Sequence, residues 1–121
     1  MNARLVWKAT MFALITSAAA CNRAESPAKT ASDVSKAREE AARRMASARD
    51  AASEDLNEPA GDAAKAQYAV ALAKARSDHD IAIQQCEALP GEEQKSCKDK
   101  ADADLERATA SAKDVLDRAK M

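Results

Sequence analysis

Three cysteines and one histidine are the side chains best suited to chemistry in this 121-residue sequence, and their spacing decides which chemistry is open to them. Cys86 and Cys97 flank the break Leu89-Pro90-Gly91. Folding the chain back at Pro90 and Gly91 sets Cys86 opposite Cys97, Ala82 opposite Ala101, Ala75 opposite Ala108 and Tyr68 opposite Val115. Small residues facing small residues let two helices approach closely, and a disulfide needs Cα atoms about 4.4–6.8 Å apart. The pair therefore reads as a structural disulfide. Catalytic dithiols usually stand as Cys-x-x-Cys, a much tighter spacing, and two cysteines alone lack the further ligands a metal site needs. His79 falls on the inner stripe of the same hairpin, opposite Asp104. It reads as a seam-edge histidine hydrogen-bonded to a carboxylate rather than as a pH- or metal-sensitive site. Its neighbours Asp78 and Asp80 point to other helix faces, and no Asp, Glu, Cys or His stands four residues away.

Cys21 belongs to a different segment. Arg4 and Lys8 open the chain with positive charge, Ala9 to Ser17 form a short apolar run, and Ala18-Ala19-Ala20 close it. That order of charge, apolar run and small residues is a secretory signal over residues 1–20. The run is too short for a membrane span, which takes about 20 apolar residues. Ala18-Ala19-Ala20-Cys21 resembles the bacterial lipobox, in which the cysteine is lipidated and becomes the new N-terminus. Ala18 stands where the lipobox usually carries Leu, and Ala18 with Ala20 fit ordinary A-x-A cleavage equally well, so both processing routes remain open. Cysteine arithmetic favours lipidation: three cysteines in an oxidising compartment leave one odd thiol, and a lipid on Cys21 removes it. Asn22, where inner-membrane retention would ask for Asp, favours the outer membrane.

The elements that must position Cys86 and Cys97 are helices. Alanine makes up about a quarter of the chain, charged residues 32%, and glycine only two positions; such a balance of Ala, Lys, Arg, Glu and Gln favours long helices. Residues 21–29, with Ser26-Pro27, read as a lipidated cysteine and flexible tether. Helices are expected at about 31–57, 62–89 and 92–119. Thr30 is the expected cap of the first, with Asp33 as its capping-box partner. The first carries Val34, Ala37, Ala41, Met45, Ala48, Ala52 and Leu56 at steps of three or four. The second carries Ala64, Tyr68, Leu72, Ala75, His79, Ala82, Cys86 and Leu89 as a heptad-like seam. The third carries Cys97, Ala101, Leu105, Ala108, Ala112, Val115 or Leu116, and Ala119. Asn57-Glu58-Pro59-Ala60-Gly61 supplies the first turn, and Pro90 with Gly91 the second. The fold class is all-α: an elongated antiparallel helical hairpin pinned by a disulfide, with an added N-terminal helix making a slim three-helix bundle.

Tyr68 to Ala75, Cys86 to Gly91 and Cys97 to Ala103 together resemble a group of small alanine- and lysine-rich exported proteobacterial proteins. These share a YxxAxxxA...C-x-x-L-x-G...C pattern and are often labelled TolA-like or cell-envelope biogenesis proteins. The resemblance covers roughly residues 62 to 115 and implies location better than activity.

Acids and bases interleave to a formal charge of −1, so no basic footprint for nucleic acid is visible. Arg38, Arg43, Arg44 and Arg49 are interrupted by Glu39, Glu40 and Asp50 and read as a solvated face. A nucleophile–base pair, a metal cluster and a phosphate loop are all missing, so no enzyme, cofactor or small-molecule substrate is expected. The expectation is a cell-envelope lipoprotein facing the periplasm, tethered to the membrane at Cys21. It would act as a structural or interaction module, meeting other envelope proteins or itself through helix faces. The alternative is a small soluble periplasmic chaperone-like or stress-binding protein.

Overall fold

A computed structural model describes residues 23–55 and 60–121. Residues 1–22, with the expected signal and Cys21, and residues 56–59, where the first turn is expected, lie outside the described residues. Three helices run antiparallel in succession: α1 (Pro27–Asp55), α2 (Ala60–Cys86) and α3 (Gly91–Ala119). The fold is all-α, with the hairpin and added first helix that the periodicity anticipates.

The helix boundaries differ from the expected ones for identifiable reasons. α1 begins at Pro27, inside the stretch read as a tether. The Ser26 hydroxyl accepts the Lys29 N–H at 3.3 Å, and the Ser26 carbonyl accepts the Thr30 N–H at 3.0 Å. Ser26 is thus the cap, and Pro27 fills the first helical position, where its missing N–H costs nothing. Thr30 sits one turn inside, 8% exposed, so it does not cap the helix. Asp33 turns to the ammonium groups of Lys29 and Lys36 instead of closing a capping box.

α2 stops at Cys86, three residues before Leu89. The N–H groups of Glu87, Ala88 and Leu89 donate to the carbonyls of Gln84, Gln85 and Cys86. These i→i+3 bonds tighten the chain as it nears Pro90, whose ring disfavours helical geometry at Leu89. Gly91 then takes φ +49°, a value glycine adopts without the penalty of a Cβ. Glu92 and Glu93 occupy the first turn of α3 and Arg118 the last, the charge order that suits the helix dipole.

α2 packs against both α1 and α3, while α1 and α3 are not packed on each other among the described residues. The inner stripe of α1 is covered where Ala41 and Ala52 meet the bundle. On α2 the buried positions are Ala66, Ala75, Ser77 and Cys86; on α3 they are Gln94 and Ala101. Nearly all are small, so the helices gain close approach but little free energy per side chain. Burial on α3 thins toward its end: Leu105 is half-buried, Ala108 is exposed, and Val115 is 55% exposed.

Candidate functional site

The disulfide turn joins α2 to α3 through a bonded and hydrogen-bonded junction. Cys86 is fully buried, and it meets Cys97 with the Cα atoms 5.6 Å apart, inside the disulfide range. Glu87, the next residue, gathers the surrounding chain. Its carbonyl accepts the Glu25 N–H at 2.8 Å, and its carboxylate accepts the buried Gln94 amide at 3.1 Å. Lys98 Nζ lies 2.5 Å from the other carboxylate oxygen. One residue thereby joins the approach to α1, the end of α2 and the first turns of α3. Residues 25–29 are consequently docked rather than a free tether. Lys29 also bridges the carboxylates of Asp33 and Glu25, which raise its ammonium pKa in that order. Two buried oxygens here, Glu25 Oε2 and Thr30 Oγ1, have no hydrogen-bond partner.

Midway along the bundle a polar chain crosses all three helices. Arg44 of α1 donates to Asp80 of α2 at 2.7 Å and reaches the buried Ser77 hydroxyl at 3.5 Å. Asp80 lies 3.7 Å from His79 Nδ1, and His79 Nε2 lies 2.7 Å from Asp102 of α3. The histidine does meet a carboxylate across the seam, but the partner is Asp102, not Asp104. Asp104 is turned outward to Lys100 and Arg107, and Lys100 is the larger cause holding its carboxyl below the usual range. Among the described residues, no group of three or more His, Cys, Asp or Glu side chains converges as metal ligands do. Chemically the Arg44–Asp80–His79–Asp102 chain is a clasp, with charge-assisted bonds on both flanks of α2.

Between the helices run open grooves. One of about 460 Å³ lies at the far end from the disulfide, where Tyr68, Ala71 and Ala75 face Ala108, Ala112 and Leu116. Another of about 400 Å³ lies where Ala52 and Arg49 of α1 meet Val70 and Ala71. Lipidation at Cys21 lies outside the described residues. Of the other positions singled out in the sequence, Cys86, Pro90, Gly91 and Cys97 come together at one end of the bundle.

Sequence reasoning missed Glu87, Gln94 and the α1-facing side of α2. A signal for the last was present. Ala66, Val70, Ala73, Ser77, Asp80 and Gln84 repeat at steps of three and four, a second stripe beside the one through Tyr68 and Leu72. Two stripes on one helix announce two partners. No such signal exists for Glu87, whose role depends on where the turn places its carbonyl. Comparison of the chain with known protein families, curated proteins and solved structures finds no match.

Proposed function

We propose that this chain is a non-catalytic cell-envelope lipoprotein, lipid-anchored through Cys21, that works as a structural or protein-interaction module in the periplasm. The observation that carries the interaction reading is two open grooves at the far end of α2, floored by small and apolar side chains and edged by Arg49, Gln67, Lys74 and Asp78. Grooves with small residues on their floor suit the side chains of another helix, because small residues let a partner backbone come close. The anchoring half of the reading rests on the signal pattern and on Ala18-Ala19-Ala20-Cys21. The proteobacterial envelope proteins that residues 62–115 resemble are consistent with the same location. No described helix is long and apolar enough to cross a membrane, so a membrane role in this reading depends on the lipid.

The same grooves also support the soluble alternative, a chaperone-like protein holding unfolded clients, because Tyr68 and Val115 offer apolar surface to an extended segment. Intact mass of protein recovered from its native membrane fraction separates the two. A chain beginning at Cys21 and carrying diacylglycerol and acyl groups supports the anchor. An unlipidated chain in the soluble fraction overturns it and favours the client-binding reading.

A further inference from the structure

The Glu25–Glu87 hydrogen bond has a consequence for how an anchored molecule would stand. Glu25 is tied by its backbone to the residue beside the disulfide, at one end of the bundle. Only four peptide steps separate Cys21 from Glu25, and four fully extended residues reach at most about 14 Å. A lipid on Cys21 is therefore leashed to the disulfide end. The other end, with the close of α3 and the Tyr68 groove, lies a helix length away, on the order of 40 Å for the 29 residues of α3.

Resting on the lipoprotein reading, we infer that the bundle is held to the membrane by its disulfide end, so that the Glu87–Gly91 turn is membrane-proximal and the Tyr68–Val115 groove is presented far into the aqueous space. Charge does not oppose this placement: exposed Glu92 and Glu93 at the near end are balanced by exposed Arg23, Lys29 and Lys95. Among the described residues the exposed large apolar side chains, Val115 and Met121, both belong to the opposite end. A partner for the groove is then a protein held off the membrane, not a lipid.

Energy transfer tests the stance, because the chain after the leader contains no tryptophan. Both processing routes begin the chain at Cys21, and the Cys86–Cys97 pair leaves Cys21 as its single free thiol. The oxidised chain from Cys21 onward can therefore be coupled to maleimide-lipid in vesicles that also carry dansyl-lipid. One tryptophan is introduced at Glu92→Trp or at Arg118→Trp, exposed positions at opposite ends of α3. Strong transfer from Glu92→Trp with none above background from Arg118→Trp is expected. Equal transfer from both, or more from Arg118→Trp, overturns the inference. Adding Glu25→Pro removes the N–H that Glu87 accepts and lengthens the leash by the two residues before Pro27, so with helix content unchanged by circular dichroism the Glu92→Trp signal should fall while the Arg118→Trp signal stays at background. An unchanged gradient in that variant overturns the role of the Glu25–Glu87 bond. Chemical anchoring keeps this result separate from the mass measurement: an unlipidated native chain with an intact gradient sinks the lipoprotein reading and leaves the geometry standing.

Discussion

At the residue scale the two glycines make a matched pair of opposite sign. Gly91 has φ +49° and Gly61 stands in the first turn of α2; an added Cβ would meet nothing within 4 Å at either. Packing therefore cannot distinguish them, and only backbone conformation can. Gly91→Ala is expected to destabilise by about 1–2 kcal/mol, the cost of an L-residue in left-handed geometry. Gly61→Ala should stabilise by about 0.4–1 kcal/mol, because alanine restricts the unfolded chain at a position whose helical geometry it tolerates. Urea unfolding of the two variants checks both. The same sign for both would mean that the turn does not depend on glycine at 91. The sequence made Pro90-Gly91 legible as a break, since the two breakers stand together. It did not make legible what the break organises. Gln94 looks like an ordinary surface helix residue, yet it is 2% exposed and donates to Glu87. Its burial follows from the tight turn bringing Glu87 over the start of α3.

At the element scale, the stripe of α1 and that of α3 as far as Leu105 were legible because their apolar residues stand against charged ones at a helical period, whereas Ala108, Val115 and Ala119 of the expected α3 stripe are exposed. α2 was only half legible: its two seams meet partners of small and polar residues, and Ser77 or Asp80 carries no hydrophobic signal. The outer faces rely on ion pairs within single helices, whose acid dependence has a definite sign. Asp33 is held below the ordinary carboxyl range first by Lys29 and then by Lys36; Asp104 is held there by Lys100 and then Arg107; Asp117 by Lys113 and then Lys120. A lowered folded-state pKa means that each carboxylate's contribution is fully present above the ordinary Asp value of 3.8. It is lost as pH falls through the lower folded value. Lys113, raised by Asp117 and also by Asp114, works the opposite way: its contribution holds below the ordinary value of 10.5 and fades as pH rises through the folded one. Circular dichroism should thus show helicity level through the neutral range, falling below about pH 4 as Asp protonates. None of these groups is buried, so ~1 M salt, where the screening length is about 3 Å, should flatten the acid limb. An acid limb insensitive to salt would assign the transition to buried groups instead.

At the scale of the whole molecule, the disulfide closes a short loop between two helices whose shared seam is made largely of alanine. Closing that loop stabilises by about 2–3 kcal/mol, a large share of the total for a domain this size. Replacing both cysteines, Cys86→Ala with Cys97→Ala, should therefore lower the unfolding free energy by about that amount. The loss should not be uniform. α1 is fastened to α2 by Arg44 on Asp80, by the Glu25–Glu87 bond and by the buried Ala41 and Ala52. α3 has His79–Asp102, Gln94 and Ala101 near the turn, and beyond Leu105 only half-buried or exposed residues. Without the covalent link the second half of α3 loses the constraint that keeps it on α2. Hydrogen exchange should accelerate most between Leu105 and Ala119, while α2 keeps its protection against α1. Equal acceleration across all three helices would instead make the bundle a single cooperative unit. Access to the bond follows from the same geometry. Cys86 is completely shielded while Cys97 is half-buried, so a small thiol reductant meets the folded chain's bond only from the Cys97 side. Reduction of the native chain should be slow and should speed up with urea in step with unfolding; rapid reduction in buffer alone would show that the Cys97 sulfur is open to attack without unfolding.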